Sequence, residues 1–189
     1  MALLSKSNKF KNLEVEEHII TTEIRSDESG GITISGTESG IYVNDDGTVD
    51  MDMQSGCSVQ RAAAWSAAHD TNTQITYDTE IYDIQNEFAS GRFTSINGGR
   101  YHVVVCHSDN DTDKLQLRAQ IRKNGVLYAE FIENSQHTLS FHTALSAVTL
   151  TLDPNDYIDG YVYQYNYTDG GAITMRTGYR VYMSIAKVA

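Results

Sequence analysis

Apolar and polar residues alternate along the chain in short bursts, and glycine, asparagine or aspartate punctuates nearly every burst. Period-two patterning between turn residues predicts strands, because successive side chains on a strand face opposite sides. From about residue 57 the predicted strands are 62–67, 74–82, 91–95, 100–107, 115–123, 126–133, 137–152, 157–167 and 178–188. Their connections carry matching turn chemistry: Asn97-Gly98-Gly99, the acidic run from Asp109 to Asp113, the hairpin signal Lys123-Asn124-Gly125, and Asp153-Pro154-Asn155-Asp156. Eight or so strands at this spacing predict an all-β sandwich or jelly roll.

The first 56 residues have a different texture. Lys6, Lys9 and Lys11 precede Glu14, Glu16 and Glu17, with Phe10 and Leu13 among them, which reads as a short helix or a flexible arm. From Ile19 to Met53 short strands are broken by glycines and by the turn Asn44-Asp45-Asp46-Gly47. Strands this short bury too little to stand alone, so this segment needs copies of itself or another surface. The expected organisation is therefore an attachment or shaft module over 1–56 and a head over 57–189.

In 157–167 the odd positions hold Tyr157, Asp159, Tyr161, Tyr163, Tyr165 and Tyr167. One face of that strand is thus a tyrosine ladder, suited either to a subunit contact or to the core of one subunit.

Charge narrows the classes. Asp and Glu number 25 against 14 Lys and Arg, a formal net charge of −11, which repels a phosphate backbone and argues against nucleic-acid binding. Nothing approaches the roughly 18 consecutive apolar residues of a membrane span, so membrane insertion is not expected. The opening residues lack the apolar run of about 7–15 residues of a secretory signal, which is read as no classical secretion. Cys57 and Cys106 are too few for a disulfide framework.

The ordered series of motifs resembles the C1q globular-head family. Asn86-Glu87-Phe88-Ala89-Ser90-Gly91-Arg92-Phe93-Thr94-Ser95 followed by Gly98-Gly99-Arg100-Tyr101-His102-Val103 is similar to that family's hallmark stretch. Ala64-Trp65-Ser66-Ala67, Ile121-Arg122-Lys123-Asn124-Gly125, Leu152-Asp153-Pro154-Asn155-Asp156-Tyr157 and Gly178-Tyr179-Arg180-Val181-Tyr182-Met183 follow in the family's order. The resemblance covers about 60–189. Two departures stand out: Ser95-Ile96 replaces the usual proline after Phe93-Thr94, and Asn155 replaces the glycine before Asp156. The collagen-like stalk of animal members is absent from the sequence. The resemblance implies a ten-strand jelly roll, related to tumour necrosis factor ligands, that associates as a homotrimer and binds rather than catalyses. Within it, Tyr161, Tyr163, Tyr165 and Tyr182 are the expected trimer contacts.

Catalytic constellations are weak. Cys106 and His107 are adjacent on a strand and face opposite sides, so they cannot share a proton, and Cys106 reads as a small buried hydrophobe. No nucleophile elbow, zinc helix or phosphate loop occurs, and no enzyme is expected. Asp109, Asp111 and Asp113 alternate as in the first half of a calcium loop, but Lys114 and Gln120 stand where such a loop needs glycine and glutamate, so a solvated acidic turn is preferred over a calcium site. Asn110-Asp111-Thr112 and Asn166-Tyr167-Thr168 are glycosylation sequons, meaningful only on a secretory route.

These features together point to a non-enzymatic trimeric protein of a virion surface, a capsid decoration or cement protein or a short head or tail fibre. Particle attachment to a capsid or tail protein falls to Lys6, Lys9, Phe10, Lys11 and Leu13, and the head is free to meet a host glycan or protein. The alternative is a secreted C1q-like ligand or lectin-like module of a cell.

Overall fold

The computed structural model describes residues 32–35, 40–43, 49–51, 54–110, 114–135 and 141–188. The chain divides into two compact units, Met1–Asp50 and Met51–Ala189. In the N-terminal unit β1 (Ile32–Ser35), β2 (Gly40–Val43) and β3 (Val49–Met51, which runs past the division) form a three-stranded sheet in that order, β1 and β2 antiparallel. The attachment residues expected in the arm, Lys6, Lys9, Phe10, Lys11 and Leu13, lie outside the described residues.

The larger unit is all strand and turn among its described residues. In chain order it runs β4 (Gly56–Arg61), β5 (Trp65–Ala67), β6 (Thr71–Gln74), β7 (Thr79–Asp83), β8 (Phe88–Ala89), β9 (Arg92–Thr94), β10 (Gly99–Ser108), β11 (Leu115–Lys123), β12 (Val126–Ser135), β13 (Thr143–Leu152), β14 (Tyr157–Asn166), β15 (Ile173–Met175) and β16 (Gly178–Lys187). Two five-stranded sheets result, in orders β13-β10-β16-β4-β7 and β12-β11-β14-β9-β8, with a small β15-β5 pair beside them.

Alternation builds the core. On β10 Tyr101, Val103 and Val105 are fully buried, and on β11 Leu115, Leu117, Ala119 and Ile121 are. They meet Ile158 and Val162 of β14 and Val181, Met183 and Ile185 of β16 in one cluster between the sheets. Gly160 belongs to this packing: a Cβ there would lie 2.5 Å from the Tyr77 hydroxyl, so only glycine leaves room for the buried ring of Tyr77.

The stretch that carried the family resemblance folds into one packed corner. Phe88 pairs with Phe93 across β8 and β9, and the Phe93 ring meets Tyr101 edge-on at 5.6 Å. Beneath them the Ser55 hydroxyl donates to buried Glu87 at 2.6 Å, and the other Glu87 oxygen accepts the Ile96 amide at 3.0 Å. Asn155 adopts φ 71°, the left-handed conformation that a glycine would take there and that asparagine tolerates best among residues with a Cβ. Asn124 (φ 53°) and Gly125 (φ 77°) make the expected tight hairpin between β11 and β12.

Several strand expectations need correction. Residues 56–61 form β4, a central strand between β16 and β7 that was not anticipated, although Cys57 and Val59 bury alternately there. The expected strand 74–82 splits, because the chain leaves β6 at Gln74 and turns at 75–78 before β7; the Ile75 amide is spent on the Gly160 carbonyl of β14. Of 62–67 only Trp65–Ala67 is strand; of 137–152 the strand β13 covers Thr143–Leu152, and residues 137–140 lie outside the described set.

Candidate functional site

Strand β14 places the tyrosine ladder by simple alternation. Ile158, Gly160, Val162, Gln164 and Asn166 are buried, whereas Tyr157, Tyr161, Tyr163 and Tyr165 are half-buried on the opposite, outer side of the sheet. This overturns the alternative that the tyrosines form the core face of one subunit.

Arginines interleave with the rings. The guanidinium of Arg92 lies 3.6 Å from the Tyr157 ring centre, that of Arg122 4.0 Å from Tyr161, and that of Arg118 4.5 Å from Tyr163. Stacking of a delocalised cation on a ring face fixes both partners with little rotamer freedom left. Register makes it possible: Asp159 faces Arg92 on β9 and Arg122 on β11, Tyr161 faces Gln120, and Tyr163 faces Arg118. Gln116 accepts from both Nε and Nη2 of Arg118, at 2.9 and 2.6 Å. The Tyr163 hydroxyl donates to Asp70 at 2.7 Å, which holds the phenol protonated above its ordinary range. Asp159 is buried under Arg92 at 3.3 Å, and burial raises its carboxyl against the pull of that cation.

Tyr182 stands elsewhere. It lies on β16 in register with Cys106 of β10, which in turn faces Leu145 of β13, so the three share one row across the other sheet. The next row is Ala147, Val104 and Ser184. The four tyrosines expected at one trimer contact therefore occupy the outward faces of opposite sheets: Tyr161, Tyr163 and Tyr165 are brought together and Tyr182 is not among them.

Apolar exposure concentrates at one edge. β12 and β13 end their respective sheets and lie against one another. Val126, Leu127, Tyr128, Phe131 and Ile132 of β12 and Leu145 of β13 are all 43% exposed or more. A ten-residue edge strand with this side-chain set is a template for association unless something covers it. Composition alone does not reveal this, because the same residues read equally well as core until the edge position of β12 is known. Beside Leu145 a cavity of ≈ 290 Å³ opens, lined by Cys106, Ser108, Phe141, Thr143, Tyr179 and Arg180.

Cys106 and His107 do face opposite sides. His107 is fully buried between the sheets and donates from Nε2 to the Arg118 carbonyl at 3.0 Å, while burial depresses its pKa from 6.5 to about 4. Burial pushes the Cys106 thiol up, which disfavours the thiolate.

Asp109 corrects the expectation of a solvated acidic turn. It is fully buried, its Oδ1 accepts the His142 amide at 2.9 Å, and its Oδ2 accepts His142 Nδ1–H at 2.8 Å. Both oxygens are thus committed to His142. Asp111 and Asp113, the other two calcium candidates, lie outside the described residues, and no cluster of three or more metal-ligating side chains occurs among the described ones.

No protein-family model and no curated protein matches the chain. Solved structures do. The globular domain of zebrafish complement 1qA protein is similar over 72% of this chain and 98% of its own, with TM-score 0.54 and 15% identity. Eiger TNF from S. frugiperda matches over 72% of this chain and 93% of its own (TM-score 0.55, 12% identity), and murine APRIL over 71% and 99% (TM-score 0.54, 12% identity). With two five-stranded antiparallel sheets packed around one core, the chain carries a C1q/TNF-like jelly roll.

Proposed function

We propose that this chain is a non-enzymatic surface protein of a virus particle whose head associates as a homotrimer, with the N-terminal unit attaching it to capsid or tail and the head contacting the host. The observation that carries the trimer is the exposed apolar edge of β12 and β13 together with the flat row of Leu145, Cys106 and Tyr182 beside it. Packed edge to face around a threefold axis, one copy's edge covers the next copy's row, and a cyclic arrangement leaves none of these surfaces open. This assigns Tyr182 to the contact and leaves Tyr161, Tyr163 and Tyr165 facing outward, away from it.

The particle assignment is supported by the thin N-terminal sheet, whose strands of four, four and three residues call for completion by another surface. The chemistry of the described residues supports a binding or structural role: the buried His142–Asp109 pair serves to join two strands, and burial holds Cys106 as a thiol. Quantitative mass spectrometry of density-purified particles from the source culture tests the assignment. Many copies per particle, counted against the major shell protein, indicate capsid decoration, and a few indicate a tail or vertex fibre. Presence in the soluble medium without particles supports instead a secreted C1q-like ligand or lectin-like module.

A further inference from the structure

The rung of β14 at Asp159 carries three unsatisfied polar groups side by side. Nε of Arg92, Nε of Arg122 and Oδ1 of Asp159 are all shielded from solvent and lack a hydrogen-bond partner. All three residues belong to one row across β9, β14 and β11. Buried donors and acceptors left unmade are unfavourable, so this row favours a ligand that supplies both functions at once. Two N–H donors beside one carboxylate oxygen match adjacent ring hydroxyls, each of which donates and accepts.

The surroundings narrow the ligand further. Tyr157 and Tyr161 stand on either side of the row, each pinned by its guanidinium. The neighbouring Gln120 amide is fixed between Glu130 at 2.8 Å and Arg122 at 3.0 Å. Rigid planar groups of this kind hold a ligand at low ordering cost. Charges near the row offset one another: Arg92 pairs with Asp159 and Arg118 with Glu130, Arg122 stands across from Asp159, and the Asp70 carboxylate accepts from the Tyr163 hydroxyl. A neutral patch on a chain of net charge −11 matches an uncharged ligand better than a polyanion. Arg92 is the outer member of the row, with 40% of its side chain exposed above an Asp159 side chain exposed by 1%.

We propose that this row is a recognition site for a neutral saccharide, with Arg92, Asp159 and Arg122 bonding a pair of adjacent ring hydroxyls between the rings of Tyr157 and Tyr161. The site deepens the proposed host contact and rests on the head being a binding module. It is tested by affinity electrophoresis of the full chain through gels containing mannan, dextran, galactan or soluble β-glucan, with heparin as the polyanion control. The expected result is retardation by at least one neutral polysaccharide, weakened about tenfold or more by Arg122→Lys, which keeps the charge but loses the guanidinium Nε–H, and by Asp159→Asn, which loses the carboxylate. Ser66→Ala on β5, away from the row, retains full retardation. No retardation by any neutral polymer, retardation by heparin alone, or retention of binding in both variants overturns the site. Assembly mass measured on the same samples separates that failure from a failure of the trimeric reading.

Discussion

His142 and Asp109 are locked face to face with both side chains fully buried, the imidazole Nδ1–H donating to Oδ2 at 2.8 Å while the His142 amide donates to Oδ1 at 2.9 Å. The same corner closes through the backbone. The Asp109 amide and the Ser108 hydroxyl both donate to the His142 carbonyl, at 3.1 and 2.7 Å, and Arg176 Nε donates to the Asp109 carbonyl at 2.7 Å. The end of β10 is thereby stitched to the start of β13.

Removing the carboxylate strands the imidazole and the amide it serves in a dry site. Asp109→Ala is expected to lower unfolding stability by about 3 kcal/mol, read from urea titration. A loss below about 1 kcal/mol would mean that the pair contributes little to the fold.

The same geometry bears on metal. With both Asp109 oxygens accepting hydrogen bonds from buried His142, calcium would have to disturb that pair to use this carboxylate. Melting in excess EDTA is expected to match melting in millimolar calcium, and a rise in melting temperature with calcium would refute this.

His107 sets a pH dependence. Its folded pKa of about 4 lies below the ordinary value of 6.5, so between these values the unfolded chain binds a proton that the native fold refuses. Stability therefore falls as pH drops from 6.5 towards 4, by about 3 kcal/mol for a gap of this size. His107→Gln should flatten that part of the profile in denaturant titrations at pH 7, 5.5 and 4, and an unchanged slope would show that another group is responsible.

Two substitutions separate the faces of the head. Leu145→Asp places a charge in the row shared with Cys106 and Tyr182 and is expected to break the assembly into monomers. Tyr163→Asp alters the outward face, where the ring carries Arg118 and bonds Asp70, and is expected to leave the assembly intact. The reverse pattern in sedimentation velocity would return the contact to the tyrosine ladder.

Much of this was legible in the sequence, and the gaps have physical causes. Period-two alternation located β10, β11, β12, β14 and β16, and Asn124-Gly125 located their tightest hairpin, because both signals are local. β4 shows the same alternation at Cys57 and Val59, but its position next to the short N-terminal strands hid it. The splitting of 74–82 depends on a bond from Ile75 to Gly160, more than eighty residues away in sequence, which no local pattern carries. The tyrosine face was readable from odd and even positions. Which side of the sheet it faced was not, since half-buried tyrosines and core tyrosines share one pattern. Asp109 was misjudged for a similar reason: its neighbours resemble a solvated turn, and its partner His142 comes from a distant segment.

The most direct test of the trimeric head is sedimentation equilibrium of the full chain at several micromolar concentrations. Three chains of 21.0 kDa predict a single species near ~63 kDa that Leu145→Asp converts towards one chain's mass. A mass of one chain at every concentration would contradict the account, because the apolar edge of β12 and β13 would then stand uncovered in solution.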